Sequence, residues 1–195
     1  VTIVCVFVLS SCSRTSTPQN ALQHPLDTLR IDVGSEAPTL DPALSEDAAS
    51  GRIINDLFAG LVDFDQQNNP IPGMAASWDI SADGKTYTFH LRPNLKFSDG
   101  SAVSANDFIY TYRRVVDPKT GSGHNYLLAG VVNGNKIIKG ELPPTSLGIS
   151  APDQQTVKIQ LEHPDANFLN YLTLGTVGVV SQKIIEKYGN AWTEP

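Results

Sequence analysis

The side chains that could perform chemistry are thinly spread along the 195 residues. The histidines are His24, His90, His124 and His163, and the cysteines are Cys5 and Cys12. No His-x-x-x-His or Cys-x-x-Cys spacing places two metal ligands on one face. The sequence therefore predicts no metal site and no cofactor.

Catalytic motifs are equally scarce. Gly121-Ser122-Gly123 resembles the start of a phosphate loop, but no Lys-Ser/Thr pair follows it. No Gly-x-Ser-x-Gly motif occurs. Asp99 and Asp107 could form an acid/base pair, yet a turn and the first turn of a predicted helix explain both carboxylates. We predict no catalytic residues and a protein that is not an enzyme.

Cys12 has the clearest chemical context. Residues 1–9 are apolar and uncharged, and Leu9-Ser10-Ser11-Cys12 is typical of a bacterial lipobox. This pattern predicts a partial signal peptide at 1–11, with the Cys12 thiol acylated and residues 12–28 as a flexible tether. Two or more acyl chains give stable anchoring. The alternative is a buried strand with a chance cysteine.

Composition narrows the class further. Hydrophobic residues make up 41%, charged residues 17%, and the net charge is −6. These values fit an ordinary globular protein and argue against nucleic acid as a partner, since phosphate binding needs a concentrated basic surface. The largest basic clusters are Arg113-Arg114 and Lys136 with Lys139, which we interpret as solvated faces.

Periodicity predicts a mixed α/β fold. Alternation at 29–33, 78–91 and 157–161 predicts strands, and Asp83-Gly84 marks a hairpin turn within the second run. Apolar positions at helical spacing predict helices at 53–61 and, after Ser104 and Asp107, at 108–115. Short helices are predicted at 165–172 and 181–188, with another short helical segment near Lys136.

The predicted core follows from these elements. We expect the 78–91 hairpin, the 108–115 helix and the 157–161 strand to pack together. Trp78 is expected to be a buried core residue, so that Trp78→Ala would cost roughly 3–5 kcal/mol. Residues 29–33 are expected to be a poorly protected strand.

Several motifs in a fixed order carry a family resemblance. They are Pro38-Thr39-Leu40-Asp41-Pro42, the run from Ala76-Ser77-Trp78 through Arg113, Leu147-Gly148-Ile149, and Tyr188-Gly189 with Trp192-Thr193. Together they resemble the family 5 solute-binding proteins of bacterial ABC importers, and the oligopeptide-binding branch in particular. Catalysis plays no part in that family.

The resemblance implies a two-lobed, type II-like periplasmic-binding fold that closes on its ligand as a hinged trap, with a third, smaller domain. This chain matches its N-terminal part. Residues 29–58 would open lobe I, 59–181 would form the small intermediate domain, and 182–195 would begin the return to lobe I.

The resemblance also implies the site and the function. Ligand-facing positions map onto Glu46, Asp47 and Ala48, and onto His124 and Tyr126 in the loop after the Arg-Arg helix. There Gly123-His124 replaces the family's more usual proline-aromatic pair. Peptide ligands in this family are held mainly by main-chain hydrogen bonds.

The implied protein is a monomeric lipoprotein at the periplasm or outer face of the cell envelope. Its partners would be a peptide ligand, the permease subunits and, through Cys12, the lipid bilayer. The alternatives are another solute (a nickel chelate, haem, a sugar or an opine), a peptide-signal receptor and, more remotely, an exported hydrolase or structural lipoprotein.

Overall fold

The structure is a computed structural model that describes residues 31–193, and the chain from Val33 onward forms one compact unit. Predictions for residues 1–30, including Cys12 and the tether, lie outside the described residues. In chain order the helices and strands are α1 Ala48–Leu57, β1 Val62–Phe64, β2 Pro70–Pro72, β3 Ala75–Ile80, β4 Thr86–Leu91, α2 Ala105–Val116, α3 Gly134–Ile138, β5 Ile149–Asp153, β6 Thr156–Gln160, α4 Phe168–Tyr171 and α5 Gln182–Tyr188. Within residues 31–193, none of these helices has the length and apolar character needed to cross a membrane.

A four-stranded antiparallel sheet organises the unit, in the order β3-β4-β6-β5. The predicted hairpin is confirmed: Trp78 pairs with Phe89 across β3 and β4, and Gly84 adopts a positive φ of 68° in the turn. Phe89 in turn pairs with Val157 of β6. Alternate side chains of β4 and β6 point into the core, because successive residues of a strand face opposite sides of the sheet.

Helix α2 covers the inner face of this sheet. Phe108, Tyr112 and Val115 are all at most 1% exposed and join the core of the sheet. At the start of the helix, the Asp107 carboxylate accepts hydrogen bonds from the backbone N–H and hydroxyl of Ser104, at 2.8 and 2.9 Å. The predicted helix start is therefore confirmed, and Asp107 serves to cap α2.

Three sequence predictions are wrong in detail. Residues 31–33 form no strand, and Ile31 is 55% exposed, because no strand among the described residues pairs with this segment. Helix α1 ends at Leu57, which is 60% exposed, although the spacing placed it on the core face of a helix reaching Leu61. Trp78 is only half-buried, since β3 is an edge strand and pairs with β4 alone.

The shorter helices agree better with the sequence. Helix α5 begins after Ser181, whose hydroxyl accepts a hydrogen bond from the backbone of Ile184, and α3 contains Lys136. Helix α4 is confined to Phe168–Tyr171, shorter than the predicted 165–172.

Candidate ligand-binding site

The structure brings together the two segments that the resemblance assigned to the ligand. Glu46 lies exposed between the turn Pro42–Leu44 and α1, and its side chain runs along Gly123. A Cβ built on Gly123 would overlap the Glu46 carboxylate oxygen, so only glycine leaves room for this arrangement. We call Glu46, Gly123, His124 and Tyr126 the ligand corner.

Asp47 and Ala48 have a mainly helical role. The Asp47 carboxylate caps α1 by accepting the backbone N–H of Ser50 at 2.9 Å. Hydrogen bonds from Ser50, first from its backbone and then from its side chain, lower the pKa of Asp47. Ala48 is exposed as the first residue of the helix. Of the three positions in this segment, Glu46 is the one whose carboxylate lies against the second segment.

His124 and Tyr126 form the aromatic side of the corner. Their ring centroids are 6.0 Å apart, and Tyr126 is 60% exposed. The backbone N–H of His124 donates to the Ser122 hydroxyl at 3.3 Å. The His124 Nδ1 atom is buried and has no hydrogen-bond partner within residues 31–193. The corner therefore combines a carboxylate, an open aromatic face and the start of the 3₁₀ helix Asn125–Leu128, for which His124 is the N-cap.

Beside the corner lies a buried ion pair that sequence reasoning missed. Asp41 is 3% exposed, and its carboxylate accepts hydrogen bonds from both terminal nitrogens of Arg114. The distance from Nη1 of Arg114 to Oδ1 of Asp41 is 2.8 Å. The Ala43 backbone N–H also donates to Oδ1 at 3.0 Å, and Trp192 Nε1 donates to Oδ2 at 3.0 Å. We call this set the Asp41 clasp.

The clasp corrects the interpretation of Arg113-Arg114 as a solvated pair. The Arg114 side chain is only 14% exposed, because it reaches from α2 to the Leu-Asp-Pro segment. Arg113 instead donates through Nη2 to the backbone carbonyl of Thr145 at 3.2 Å. The Pro42–Leu44 turn, with Asp41 as its N-cap, was the available sequence signal, since aspartate before proline is a common helix start.

A metal has no preformed site in the part of the chain that the structure describes. No group of three or more His, Cys, Asp or Glu side chains converges there. The exposed pair of His90 and Asp79, with Nε2 and Oδ2 2.8 Å apart, offers two ligands on the outer face of the sheet. A four-coordinate structural site would need two more.

The comparisons with known proteins give the family. Residues 69–194 match the profile described as "Bacterial extracellular solute-binding proteins, family 5 Middle". The chain belongs to this family, whose members are binding proteins. The prediction from the sequence motifs is thereby confirmed, as is the mixed α/β periplasmic-binding fold.

Three relatives show the extent of the likeness. The periplasmic oligopeptide-binding protein OppA of Salmonella typhimurium is 36% identical over 195 residues, which cover 99% of this chain and 36% of OppA. The probable deoxycholate-binding periplasmic protein YgiS of Escherichia coli is 38% identical over 180 residues, or 91% of this chain and 34% of YgiS. The crystal structure of Haemophilus influenzae OppA in complex with RPPGFSPFR matches with a TM-score of 0.81 and 34% identity, covering 84% of this chain and 32% of that one. This chain thus spans about a third of the length of these relatives.

Proposed function

We propose that the whole protein is the solute-binding component of an ABC importer, which captures peptides outside the cytoplasmic membrane and delivers them to a permease. Family membership and the peptide-binding relatives support this proposal. The observation that carries it is the contact of Glu46 with Gly123, because it joins the two segments that the family resemblance assigns to the ligand.

The ligand corner suits a peptide that carries a positive charge. The Glu46 carboxylate is exposed and has no ion-pair partner within 31–193, so it can receive a lysine side chain. The open ring of Tyr126 adds a surface that attracts cations through its π-electrons. Backbone groups of the 123–126 segment that the 3₁₀ helix Asn125–Leu128 does not use can bond the peptide main chain whatever its side chains are.

No reaction is part of this function. Ligand binding would shift the two lobes toward a closed arrangement. The free energy of this shift equals the difference between the ligand's binding free energies for the closed and open arrangements. The carboxylates that might suggest catalysis have other roles: Asp107 caps α2, and Asp99 accepts the backbone N–H of Ser101 at 2.8 Å. Hydrogen bonds from the Ser101 side chain and backbone lower the pKa of Asp99, which disfavours a role as a general acid near neutral pH.

Titration calorimetry on the full-length protein tests the ligand class. We expect Ala-Lys-Ala to bind roughly tenfold more tightly than Ala-norleucine-Ala, a peptide of similar shape without the charge. Glu46→Gln should remove this preference and leave the neutral peptide unaffected. Glu141→Gln, at an exposed glutamate in the loop after α3, is the matched control.

The same experiment separates peptide from bile-acid binding. YgiS is named a probable deoxycholate-binding protein, so deoxycholate is the competing ligand. Binding of deoxycholate, with no heat from either tripeptide or from a mixed peptide pool, would contradict the proposed peptide function. Equal affinity for both tripeptides would contradict the role of Glu46 alone.

We further propose that the mature protein is a monomer anchored through acylated Cys12 at the periplasmic or outer face of the envelope. The periplasmic relatives support the location, and the Leu-Ser-Ser-Cys motif supports the anchor. Wild-type protein should enter the detergent phase, whereas Cys12→Ser should remain in the aqueous phase. A Cys12→Ser protein that still partitions and migrates as the lipidated form would refute the anchor.

A further inference from the structure

The hydrogen bonds of the Asp41 clasp fix the position of the chain segment that carries Glu46 of the ligand corner. Both carboxylate oxygens of Asp41 are bonded to Arg114, and backbone and indole donors complete the set. Removing two charges from water is costly, and apolar residues of similar size often give equal stability. The benefit particular to a two-pronged arginine–carboxylate pair is orientation, because it fixes both distance and angle.

The chain from Asp41 to Glu46 has little freedom to move independently. Asp41 is the N-cap of the turn Pro42–Leu44, and its carbonyl accepts the Leu44 N–H at 3.0 Å. Asp47, next to Glu46, caps α1. Glu46 therefore stands on a short connection between two capped elements, one of which is tied down by Arg114.

The second segment of the corner, residues 123–126, follows shortly after Arg114 in the chain. Arg114 lies in the last turn of α2, and the chain continues from Asp117 through two hydrogen-bonded turns. In those turns, Thr120 N–H donates to the Asp117 carbonyl at 3.0 Å and Gly121 N–H to the Pro118 carbonyl at 3.2 Å. This segment leads directly to Gly123. One guanidinium thus joins the segment that carries Glu46 to the loop that faces it.

We propose that the Asp41–Arg114 ion pair is a positioning device that holds Glu46 beside Gly123 and thereby sets the preference of the corner for a positively charged ligand group. Arg114 and Asp41 do not contact the ligand in this scheme. They act through Glu46. The inference rests on the proposed peptide function, and it assigns to Asp41 and Arg114 a role that a general contribution to folding does not imply.

A double-mutant cycle in the full-length protein tests the inference. The measured quantity is the ratio of affinities for Ala-Lys-Ala and Ala-norleucine-Ala. Arg114→Lys keeps the charge but loses the two-pronged geometry, and we expect it to reduce the ratio roughly tenfold. In a Glu46→Gln background, Arg114→Lys should leave the ratio unchanged.

Two further variants keep the test decisive. Arg113→Lys is the matched control, because Arg113 donates to the Thr145 backbone carbonyl rather than to Asp41, and its substitution should not alter the ratio. If Arg114→Lys does not fold, Trp192→Phe removes one donor to Asp41 and retains an aromatic ring near Phe58. It should reduce the ratio by a smaller factor, again only when Glu46 is present.

The outcomes distinguish this inference from the proposed function. An Arg114→Lys effect of the same size with and without Glu46, or no effect on the ratio, overturns the positioning role while peptide binding stands. A ratio of one in the wild-type protein instead removes the proposed role of Glu46, and the positioning role falls with it. Thermal unfolding of each variant shows whether a changed ratio accompanies lost structure.

Discussion

Removal of the Tyr112 hydroxyl tests directly how tightly α2 is packed in the core. Tyr112 is 1% exposed, and its oxygen has no hydrogen-bond partner within residues 31–193. A buried hydroxyl without a partner costs about 1–3 kcal/mol relative to its state in water. Removing the oxygen also loses a few van der Waals contacts of about 0.1–0.2 kcal/mol each. Tyr112→Phe should therefore increase the free energy of unfolding by about 1 kcal/mol.

Urea and thermal unfolding of the 195-residue chain would measure this change. For a chain of this size, 1 kcal/mol corresponds to a rise of about 2–4 °C in the midpoint temperature. Tyr110→Phe on the same helix is the control, because the Tyr110 side chain is half-buried and water can reach that region. It should change the stability by less than about 0.5 kcal/mol. A loss of more than about 1 kcal/mol in Tyr112→Phe would show that the hydroxyl has a partner and would refute the reasoning.

The same hydroxyl predicts a pH dependence. Burial raises the pKa of Tyr112 far above its ordinary value, so the folded chain retains a proton that the unfolded chain releases above pH about 10. Stability is therefore fully present below that pH and is lost as pH rises, by about 1.4 kcal/mol per pH unit for one such group. Tyr112→Phe should make the alkaline decline shallower by this amount, and an unchanged slope would contradict it.

Two other pairs of substitutions test the core and the corner. The Phe89 side chain has 0% exposure, so Phe89→Ala should lower the free energy of unfolding by about 3–5 kcal/mol. Trp78 is half-buried, so Trp78→Ala should lower it by only about 1–2 kcal/mol. A larger loss for Trp78→Ala than for Phe89→Ala in urea unfolding would contradict the packing described for β3. Gly123→Ala should push the flexible Glu46 side chain away and remove the preference for Ala-Lys-Ala, with little change in the midpoint temperature of unfolding. Gly130→Ala is the control, because a Cβ there meets nothing within 4 Å, and it should change neither the preference nor the midpoint temperature. A retained preference in Gly123→Ala would show that Glu46 does not depend on this contact.

Local signals predicted the β3–β4 hairpin, strand β6 and helix α2 well, whereas strand β5 was not predicted. The hairpin follows from alternation around Asp83-Gly84, and the start of α2 follows from Ser104 and Asp107 three residues apart. Each signal involves neighbours in sequence, so the physics that makes the element is visible in a short window. A short window of sequence cannot show whether another part of the chain packs on a given face of a helix or strand. Leu57 and Trp78 fit their periodic patterns, but the described residues leave both of them partly or largely exposed.

The ligand corner and the clasp depend on contacts that no short window contains. The Asp41–Arg114 pair closes a separation of 73 residues, and the Trp192–Asp41 hydrogen bond closes one of 151. Each partner was noticeable alone: an aspartate before proline, two adjacent arginines and a tryptophan near Gly189. Only the fold shows that Arg114 and Trp192 both donate hydrogen bonds to the buried carboxylate of Asp41, because burial and pairing are properties of the assembled core.

This arrangement explains how Glu46 and Gly123 are held side by side although the chain places them 77 residues apart. Neither segment belongs to a strand, and loops by themselves hold functional groups loosely. Here the Glu46 segment is fixed by capping bonds at Asp41 and Asp47, and the facing loop descends from α2 through hydrogen-bonded turns. Because Arg114 joins the two supports, a loss of its geometry should alter ligand preference before it disrupts the core, in which Phe89 and Phe108 are fully buried.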